Sequence, residues 1–487
     1  MKLAELIDGF GELQNQDTSD LEVNHITHDS RKVQFGSMFV ALDGDSHDGH
    51  NYIAAACQMG AVCVLTQDPE RVPCRIPIIH SREPRQAMAL MAQRLNDYPD
   101  KKLCVVGITG TNGKTTTTYL VNHLIRSLGG AGRIGTLSYF NGVSEEKSVR
   151  TTPESSEVYR CLGEMVANSC SYASLEISSH GLMLDRVLGI RLRYALFTNL
   201  SQDHLDFHGD MESYFQAKHR QFEMLVPGGV AVINYDDEYG RRIKVPHHAE
   251  TIRYGEHPDA DLRFEVLGLT VTGSEFDVFW MGQKVRFKIG LLGKHNIYNF
   301  VCALAVALKE GRDLNEVAAD TKSLPQVPGR MESLNQGQNF GVLIDFAHTP
   351  DALCKVMEAC KSADPKRLIV VFGAGGDRDH DKRAIMGEMV DRYADILVLT
   401  SDNPRGENPE SIMDMVQKGV KRSPGETFFR DWDRREAIRL AINMATPGDL
   451  VIIAGKGHET TQEIKGVHHP FSDRMEAIYA ISGRRED

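Results

Sequence analysis

Leu103-Cys-Val-Val-Gly-Ile-Thr-Gly-Thr-Asn-Gly-Lys-Thr115 reads as a short apolar strand running into a glycine turn, and Thr116–Ser127 continues it as a helix. A strand, a glycine turn and a helix start are the parts of a phosphate cradle. Gly110 and Gly113 let successive amides point inward, the helix N-terminus favours an anion, Lys114 supplies charge, and Thr115 brings a hydroxyl within reach of Mg²⁺. Thr111 and Asn112 complete the turn, and Thr116 opens the helix beyond it. Counting back from Gly113 puts Ile108 where G-x-x-x-x-G-K-T has its first glycine, so the loop is a variant of that pattern.

Apolar runs alternate with amphipathic stretches around this loop. Leu103–Val106, Ala173–Ile177, Ala195–Phe197 and Val230–Ile233 each end in Gly, Ser, Thr, Asn or Asp, which implies βαβ units and a mainly parallel sheet. Residues 255–292 alternate polar with apolar, as in Phe276–Trp280 and Val285–Ile289, and read as an antiparallel excursion. Beyond residue 333 four further strands are expected at Val342–Ile344, Leu368–Phe372, Ile396–Leu399 and Leu450–Ala454. Each leads into a polar or glycine-rich loop: Asp345–His348, Gly373–Arg378, Asp402–Arg405 and Gly455–Glu459. Ligands of open α/β sheets bind beyond the carboxyl ends of strands, so this region reads as a second binding domain. Residues 1–98 mix short apolar runs (Met38–Leu42, Ala61–Leu65) with polar loops, and the proline-bearing Asn96–Lys102 reads as a linker. The expected fold is α/β in three domains: a small one over 1–98, a central phosphate-loop domain over 99–332 with a mainly parallel sheet, and a Rossmann-like one over 333–487.

The composition narrows the function. A formal charge of −12 argues against a nucleic-acid binder, which carries a basic face, but leaves room for a small anion in a local pocket. No stretch reaches the roughly 18 apolar residues of a membrane span, and the N-terminus lacks the apolar run of a signal peptide. The nine cysteines are scattered without a Cys-x-x-Cys pair, as in a reducing compartment. The expectation is a cytoplasmic protein without membrane or nucleic-acid partners, acting as a monomer.

The variant loop Gly-Thr-Asn-Gly-Lys-Thr resembles that of the Mur ligases and folylpolyglutamate synthetases. Ten ordered segments extend the resemblance to the Mur ligases over nearly the whole chain: Asp29-Ser-Arg31, Thr151-Thr-Pro153, Glu176–His180, Asn199–Asp206, His295–Asn299, Pro328–Glu332, Asp345–Pro350, Gly375–Arg378, Asp402–Arg405 and Gly455–Glu459. Within that family the pattern is similar to the branch that adds meso-2,6-diaminopimelate to UDP-N-acetylmuramoyl-L-Ala-D-Glu. The resemblance implies that ATP phosphorylates the D-glutamyl side-chain carboxylate and that the incoming amine displaces phosphate from the acyl phosphate.

The same resemblance implies roles for individual residues. Lys114, Glu176, His204 and Lys218 would be catalytic. Thr115, Glu176, His204 and Lys218, the last carbamylated, would serve Mg²⁺. His295, Asn296, Asn299, Arg330 and Asp345 would join Gly110–Thr116 in binding ATP. The first three stand at the start of a helix expected over Asn299–Leu308, where polar side chains serve equally as caps. Ser30, Asp45, Ser46, His47, Thr151, Thr152, Ser178 and Arg186 would hold the sugar nucleotide on and beside a UDP-binding N-terminal domain. Arg150 stands where some members have Asn, and Leu184 where some have Gln. Arg383, Asp402, Asn403, Pro404, Arg405, Gly455 and Glu459 would hold diaminopimelate. Arg405 would read the extra carboxylate that distinguishes it from lysine, since a guanidinium binds such a group with two parallel bonds.

Three other functions remain open from sequence. A lysine-adding relative would differ in the C-terminal pocket, and a folylpolyglutamate synthetase would lack the N-terminal segment and Asp402–Arg405. A nucleotide-switched binding protein would need only the loop.

Overall fold

Residues 1–14, 20–44 and 47–484 are described by a computed structural model. They pack as two compact units, Met1–Ala260 with Cys302–Gly311, and Asp261–Val301 with Arg312–Asp487.

In the first unit β1 (Glu12–Leu13), β2 (His25–Thr27), β3 (Ser37–Val40), β4 (Ala61–Thr66) and β5 (Ile78–His80) form a sheet in the order β1-β5-β4-β3-β2. A second sheet holds β6 (Cys104–Thr109), β7 (Ala131–Ile134), β8 (Ser138–Phe140), β9 (Glu145–Lys147), β10 (Tyr172–Glu176), β11 (Leu192–Phe197), β12 (Leu225–Asn234) and β13 (Glu250–Gly255). Its order is β13-β12-β11-β6-β10-β7-β8-β9, parallel from β13 to β7 and antiparallel beyond. β10 is buried along its whole length and β6 along nearly all of it, as expected of apolar strands covered on both faces. The strand sequence reverses direction at β6, which lies between β10 and β11. Glu176 thus stands opposite Ile108, and Phe197 opposite Thr109. The carboxyl ends of three neighbouring strands meet where open sheets place their ligands.

One core cluster runs through both sheets of this unit. Met38, Leu65, Met88 and Met91 share it with Val158, Tyr159, Leu162 and Phe197. Each fully buried side chain of this size stabilises the fold by roughly 1.5–3 kcal/mol. The expected linker is correspondingly tied down. Pro99 and Asp100 are buried, Asp97 and Tyr98 adopt left-handed φ values of 55° and 49°, and Gln93 donates to Asp100 at 2.9 Å.

The second unit opens with the antiparallel excursion, β14 (Leu262–Thr270), β15 (Gly273–Trp280) and β16 (Gln283–Ile289), whose Phe276 and Phe287 stack at 5.7 Å. A six-stranded sheet follows: β17 (Glu332–Ser333), β18 (Gly341–Asp345), β19 (Leu368–Phe372), β20 (Ile396–Leu399), β21 (Phe428–Arg430) and β22 (Leu450–Ala454), in the order β17-β18-β22-β19-β20-β21. The expected boundary after residue 332 falls inside β17, which pairs antiparallel with β18. From β18 to β21 the sheet is parallel, with Asp345 opposite Ala454 and Phe372 opposite Leu399. The four polar loops therefore leave the same edge side by side. Among the described residues no helix is long and apolar enough to cross a membrane.

Candidate active site

The phosphate loop is held from below by the strand beside it. Thr111 N donates to Asn199 O at 2.8 Å and Asn112 N to Asn199 Oδ1 at 3.0 Å, while Thr198 Oγ1 donates to Asn112 O at 2.6 Å. Gly110 has φ 149° and a Cβ there would collide with Thr198 Oγ1; Gly113, φ 84°, opens the helix Lys114–Gly129. That helix starts two positions before the expected Thr116, so Lys114 and Thr115 lie in its first turn. Thr116 is buried. Lys114 Nζ reaches back to the carbonyls of Gly110 (2.8 Å) and Thr111 (2.9 Å).

Glu176, 1% exposed, ends β10 directly beside the helix start. It accepts from Thr115 Oγ1 and Thr136 Oγ1, both at 2.9 Å, and from Thr136 N at 2.8 Å. Lys218, 2% exposed, donates to Gly110 O at 2.9 Å and lies 4.6 Å from the centre of the Tyr214 ring. Burial, with Lys114 nearby, moves its pKa well below the ordinary lysine value. His204 is half-exposed with φ 52°, its ring edge-on to His180 at 5.0 Å and to Tyr214 at 6.2 Å. Thr115 and Glu176 thus meet directly, Lys218 joins them through the loop, and His204 approaches Lys218 through Tyr214. Among the described residues one trio of His, Cys, Asp or Glu ligand atoms gathers within 4.8 Å, and it lies elsewhere, at Asp43, Asp48 and His50. There Arg71 pairs with Asp48, and His50 Nε2 meets Thr66 Oγ1 at 2.8 Å, as in a satisfied loop fastening.

The sugar-nucleotide candidates cluster on the next elements. Thr152 Oγ1 donates to Glu176 O at 2.8 Å and lies 3.1 Å from Ser178 Oγ; Thr136 Oγ1 lies 3.1 Å from Thr151 Oγ1. Ser178 caps the helix Ser179–Met183, accepting from Gly181 N at 3.0 Å. Arg186 donates to Thr152 O at 3.2 Å and pairs with Glu154 at 3.0 Å. Ser30 opens a 3₁₀ turn capped by Asp29, and His47 is exposed. Asp45 and Ser46 lie outside the described residues.

In the second unit the helix expected over Asn299–Leu308 begins at Lys294, more than a turn earlier. His295 is an exposed residue of its first turn, while Asn296 and Asn299 are buried. Asn296 Nδ2 donates to Leu292 O at 2.9 Å and Asn299 Nδ2 to Asn296 Oδ1 at 3.1 Å, so neither bond is an N-cap. Asp345 accepts from Met331 N and Ala347 N, both at 2.8 Å, and burial raises its pKa. Arg330 lies 5.6 Å from the centre of the Phe346 ring.

The last candidates form one polar floor. Arg405, φ 49°, donates to Gly376 O at 2.6 Å and pairs with Glu463 at 3.2 Å. Arg383 is fully buried; it holds Glu407 with two bonds of 2.8 and 2.7 Å and donates to Gly375 O at 3.1 Å. Both guanidinium groups thus converge on the Gly375-Gly376 turn, and a Cβ at Gly376 would collide with Pro404 O. Lys456 Nζ and Asn403 Nδ2 each donate to Glu459 Oε2 at 2.8 Å. Burial raises the Glu459 pKa, but Lys456 and Asn403 outweigh it and leave it lowered. Burial also raises the pKa of Asp402, whose Oδ2 a Cβ at Gly455 would strike. Lys456 was within sight, inside Gly455–Glu459; Glu407, Glu463, Thr136 and Glu154 carry no signal of their own in a single sequence.

Residues 22–102, 108–307 and 329–457 match, in order, the Mur ligase family catalytic domain, the Mur ligase middle domain, and the Mur ligase, glutamate ligase domain. The chain belongs to the Mur ligase family. It is 42% identical over 447 residues to UDP-N-acetylmuramoyl-L-alanyl-D-glutamate–2,6-diaminopimelate ligase 1 of Clostridium acetobutylicum, covering 91% of each chain. It is 40% identical to the ligase of the same name from Gloeobacter violaceus, covering 100% of this chain and 99% of that one. A solved structure of a 2,6-diaminopimelate ligase of this name superposes with TM-score 0.72 at 31% identity, over 100% of this chain and 99% of that chain. A family member from Thermotoga maritima, MurF in complex with ADP, shares the fold at TM-score 0.64 and 18% identity, over 96% of this chain and 99% of that chain.

Proposed function

We infer that this chain is an ATP-dependent ligase joining meso-2,6-diaminopimelate to the D-glutamyl side-chain carboxylate of UDP-N-acetylmuramoyl-L-Ala-D-Glu, in the synthesis of peptidoglycan precursors. The observation that carries the chemistry is the Thr115–Glu176 pair beneath a lysine-bearing phosphate loop, with a second, buried lysine behind it. Hydroxyl and carboxylate oxygens are the hard donors Mg²⁺ takes, so Thr115 and Glu176 would hold it. When bound, the ion neutralises charge on the transferring phosphoryl group.

The protein's own part is positioning. Lys114 and the amides of Gly110–Thr115 clamp the phosphates, and the γ-phosphoryl group passes to the substrate carboxylate. The amine then attacks the acyl carbon, phosphate leaves, and the amine gives up a proton. His295, Asn296, Asn299, Arg330 and Asp345 serve the nucleotide, Ser30, Thr151, Thr152, Ser178 and Arg186 the sugar nucleotide.

Lys218 fits carbamylation, because a buried lysine that sheds its proton offers a lone pair to CO₂. The N–C bond forms, one proton departs, and a cation becomes an anion able to support the metal. Arg405 reads the distal carboxylate of diaminopimelate, and Arg383 would exchange Glu407 for a ligand carboxylate or brace the turn beneath it. Glu459 takes the distal ammonium group.

The test measures phosphate release with UDP-N-acetylmuramoyl-L-Ala-D-Glu and Mg²⁺-ATP, adding meso-diaminopimelate, lysine or nothing. Release is expected with diaminopimelate alone. Turnover with lysine alone would overturn the specificity, and none with either would overturn the ligase.

A further inference from the structure

Arg150 and Arg186 are joined by a residue that no motif singled out. Glu154 ends the Thr-Thr-Pro turn and precedes the helix Ser155–Ala167, with its side chain only 3% exposed. Its Oε1 accepts from Arg150 at 2.7 Å and from Arg186 at 3.0 Å, and its Oε2 accepts from Arg85 at 2.8 Å. Arg85 comes from the helix Pro84–Leu95 of the N-terminal sheet's layer, so the carboxylate ties together three separate pieces of the first unit. One cation is enough to neutralise a buried carboxylate. Three guanidinium groups on one carboxylate leave two positive charges in surplus, and buried or half-buried surplus charge is costly until an anion arrives. The cluster faces the substrate elements, since Arg186 also donates to Thr152 O and Thr152 bonds Ser178. Beside it, His28 Nδ1 is buried without a hydrogen-bond partner. Burial keeps that imidazole neutral, with its pKa lowered.

We propose that Glu154 is a positioning residue for the sugar nucleotide, gathering Arg85, Arg150 and Arg186 into one cation cluster that receives an oxyanion of that substrate. Arg186 is held from two sides and oriented, with 12% of its side chain exposed, while Arg150 at 48% is the movable member. The oxyanion is either the diphosphate or a carboxylate of the dipeptide; both take the same paired N–H donors. This role rests on the ligase activity proposed above, and the experiment separates the two.

Binding of UDP-N-acetylmuramoyl-L-Ala-D-Glu, of UDP, and of N-acetylmuramoyl-L-Ala-D-Glu is measured by calorimetry on the whole protein and on Glu154→Gln, Glu154→Asp and Arg150→Asn, beside steady-state kinetics. Glu154→Gln should weaken the sugar nucleotide about 10–100-fold, the range for a charged hydrogen-bonding group. KM for that substrate should rise more than kcat falls, KM for ATP should hold, and Glu154→Asp should recover part of the loss. Loss of affinity for UDP assigns the diphosphate; loss for the sugar dipeptide assigns a carboxylate. Arg150→Asn, half-exposed and tolerant, should weaken the same ligand by about threefold to tenfold and flatten its salt dependence. Unchanged affinity in both Glu154→Gln and Arg150→Asn overturns the role. So does an equal fall for ATP and sugar nucleotide in step with Tm. A wild-type protein that binds the sugar nucleotide without turning over would overturn the activity and leave Glu154 standing, whereas one that does not bind it would overturn both.

Discussion

In the first unit three guanidinium groups share Glu154, and Lys114 and Lys218 donate to backbone carbonyls. In the second, Arg383, Arg405, Arg434 and Lys456 each meet a carboxylate: Glu407, Glu463, Asp473 and Glu459. The difference follows the ligands proposed for the residues compared. A nucleotide and a sugar nucleotide bring several negative charges, so a site for them profits from cations in excess. An amino acid with two ammonium and two carboxylate groups brings both signs, and a balanced floor can exchange partners with it. Net charge says nothing of this, since −12 overall coexists with a local surplus of cations.

The contrast breaks most visibly in the second unit at its deepest pair. Arg434 and Asp473 are both fully buried and joined by two bonds of 2.7 Å. Asp473→Asn removes the carboxylate bonded directly to a buried cation, leaving it the more distant Asp402 and Glu459, and should lower unfolding free energy by about 3–5 kcal/mol in denaturant titration. A change under about 1 kcal/mol would mean the balance there is not structural. In the first unit Lys218→Ala should lower kcat roughly 100-fold, the scale for groups that support a metal site, with partial rescue by short carboxylates. Absence of rescue in steady-state assays counts against the carbamate. Arg405→Ala should raise KM for diaminopimelate about 10–100-fold, with KM for ATP held, and Arg405→Lys should not restore it. The smallest effect is on pH. Arg383 holds the Glu407 carboxyl at about 2, below its ordinary 4.5. A depressed carboxyl contributes stability that is complete above 4.5 and lost as pH falls toward 2. Glu407→Gln should therefore flatten the acid limb of the stability profile between those values, and an unaltered limb would remove Glu407 from it.

Much of this was legible in the sequence. The four strands expected after residue 333 were readable almost to the residue, because fully buried parallel strands are short uninterrupted apolar runs. The partly exposed strands Phe428–Arg430, Thr461–Ile464 and Val467–Pro470 carry no such run. Short-range motifs likewise placed Lys114, Thr115 and Glu176, which the fold brings together. Two features were less visible. The helix that begins at Lys294 is legible only from Asn299, because Lys294, His295 and Asn296 carry no apolar period; Asn296 is buried by a bond to Leu292 O that periodicity does not report. The carboxylates that fix the arginines were invisible for a different reason. Glu407 lies 24 positions from Arg383, and Arg85 lies 69 from Glu154, so such pairs exist only once the chain has folded.

Gly135 sits against Glu176, where any Cβ would collide with Oε1, and three hydrogen bonds keep that carboxylate from stepping aside. Under selection by an inhibitor that leans on Glu176, a replacement at this position is therefore expected to cost activity before it excludes the compound. Any side chain placed there would displace the Glu176 carboxylate, the group proposed to hold the metal. Resistance would have to arise from residues farther out on the rim, which makes the inner wall around Gly135 a durable place to aim a compound.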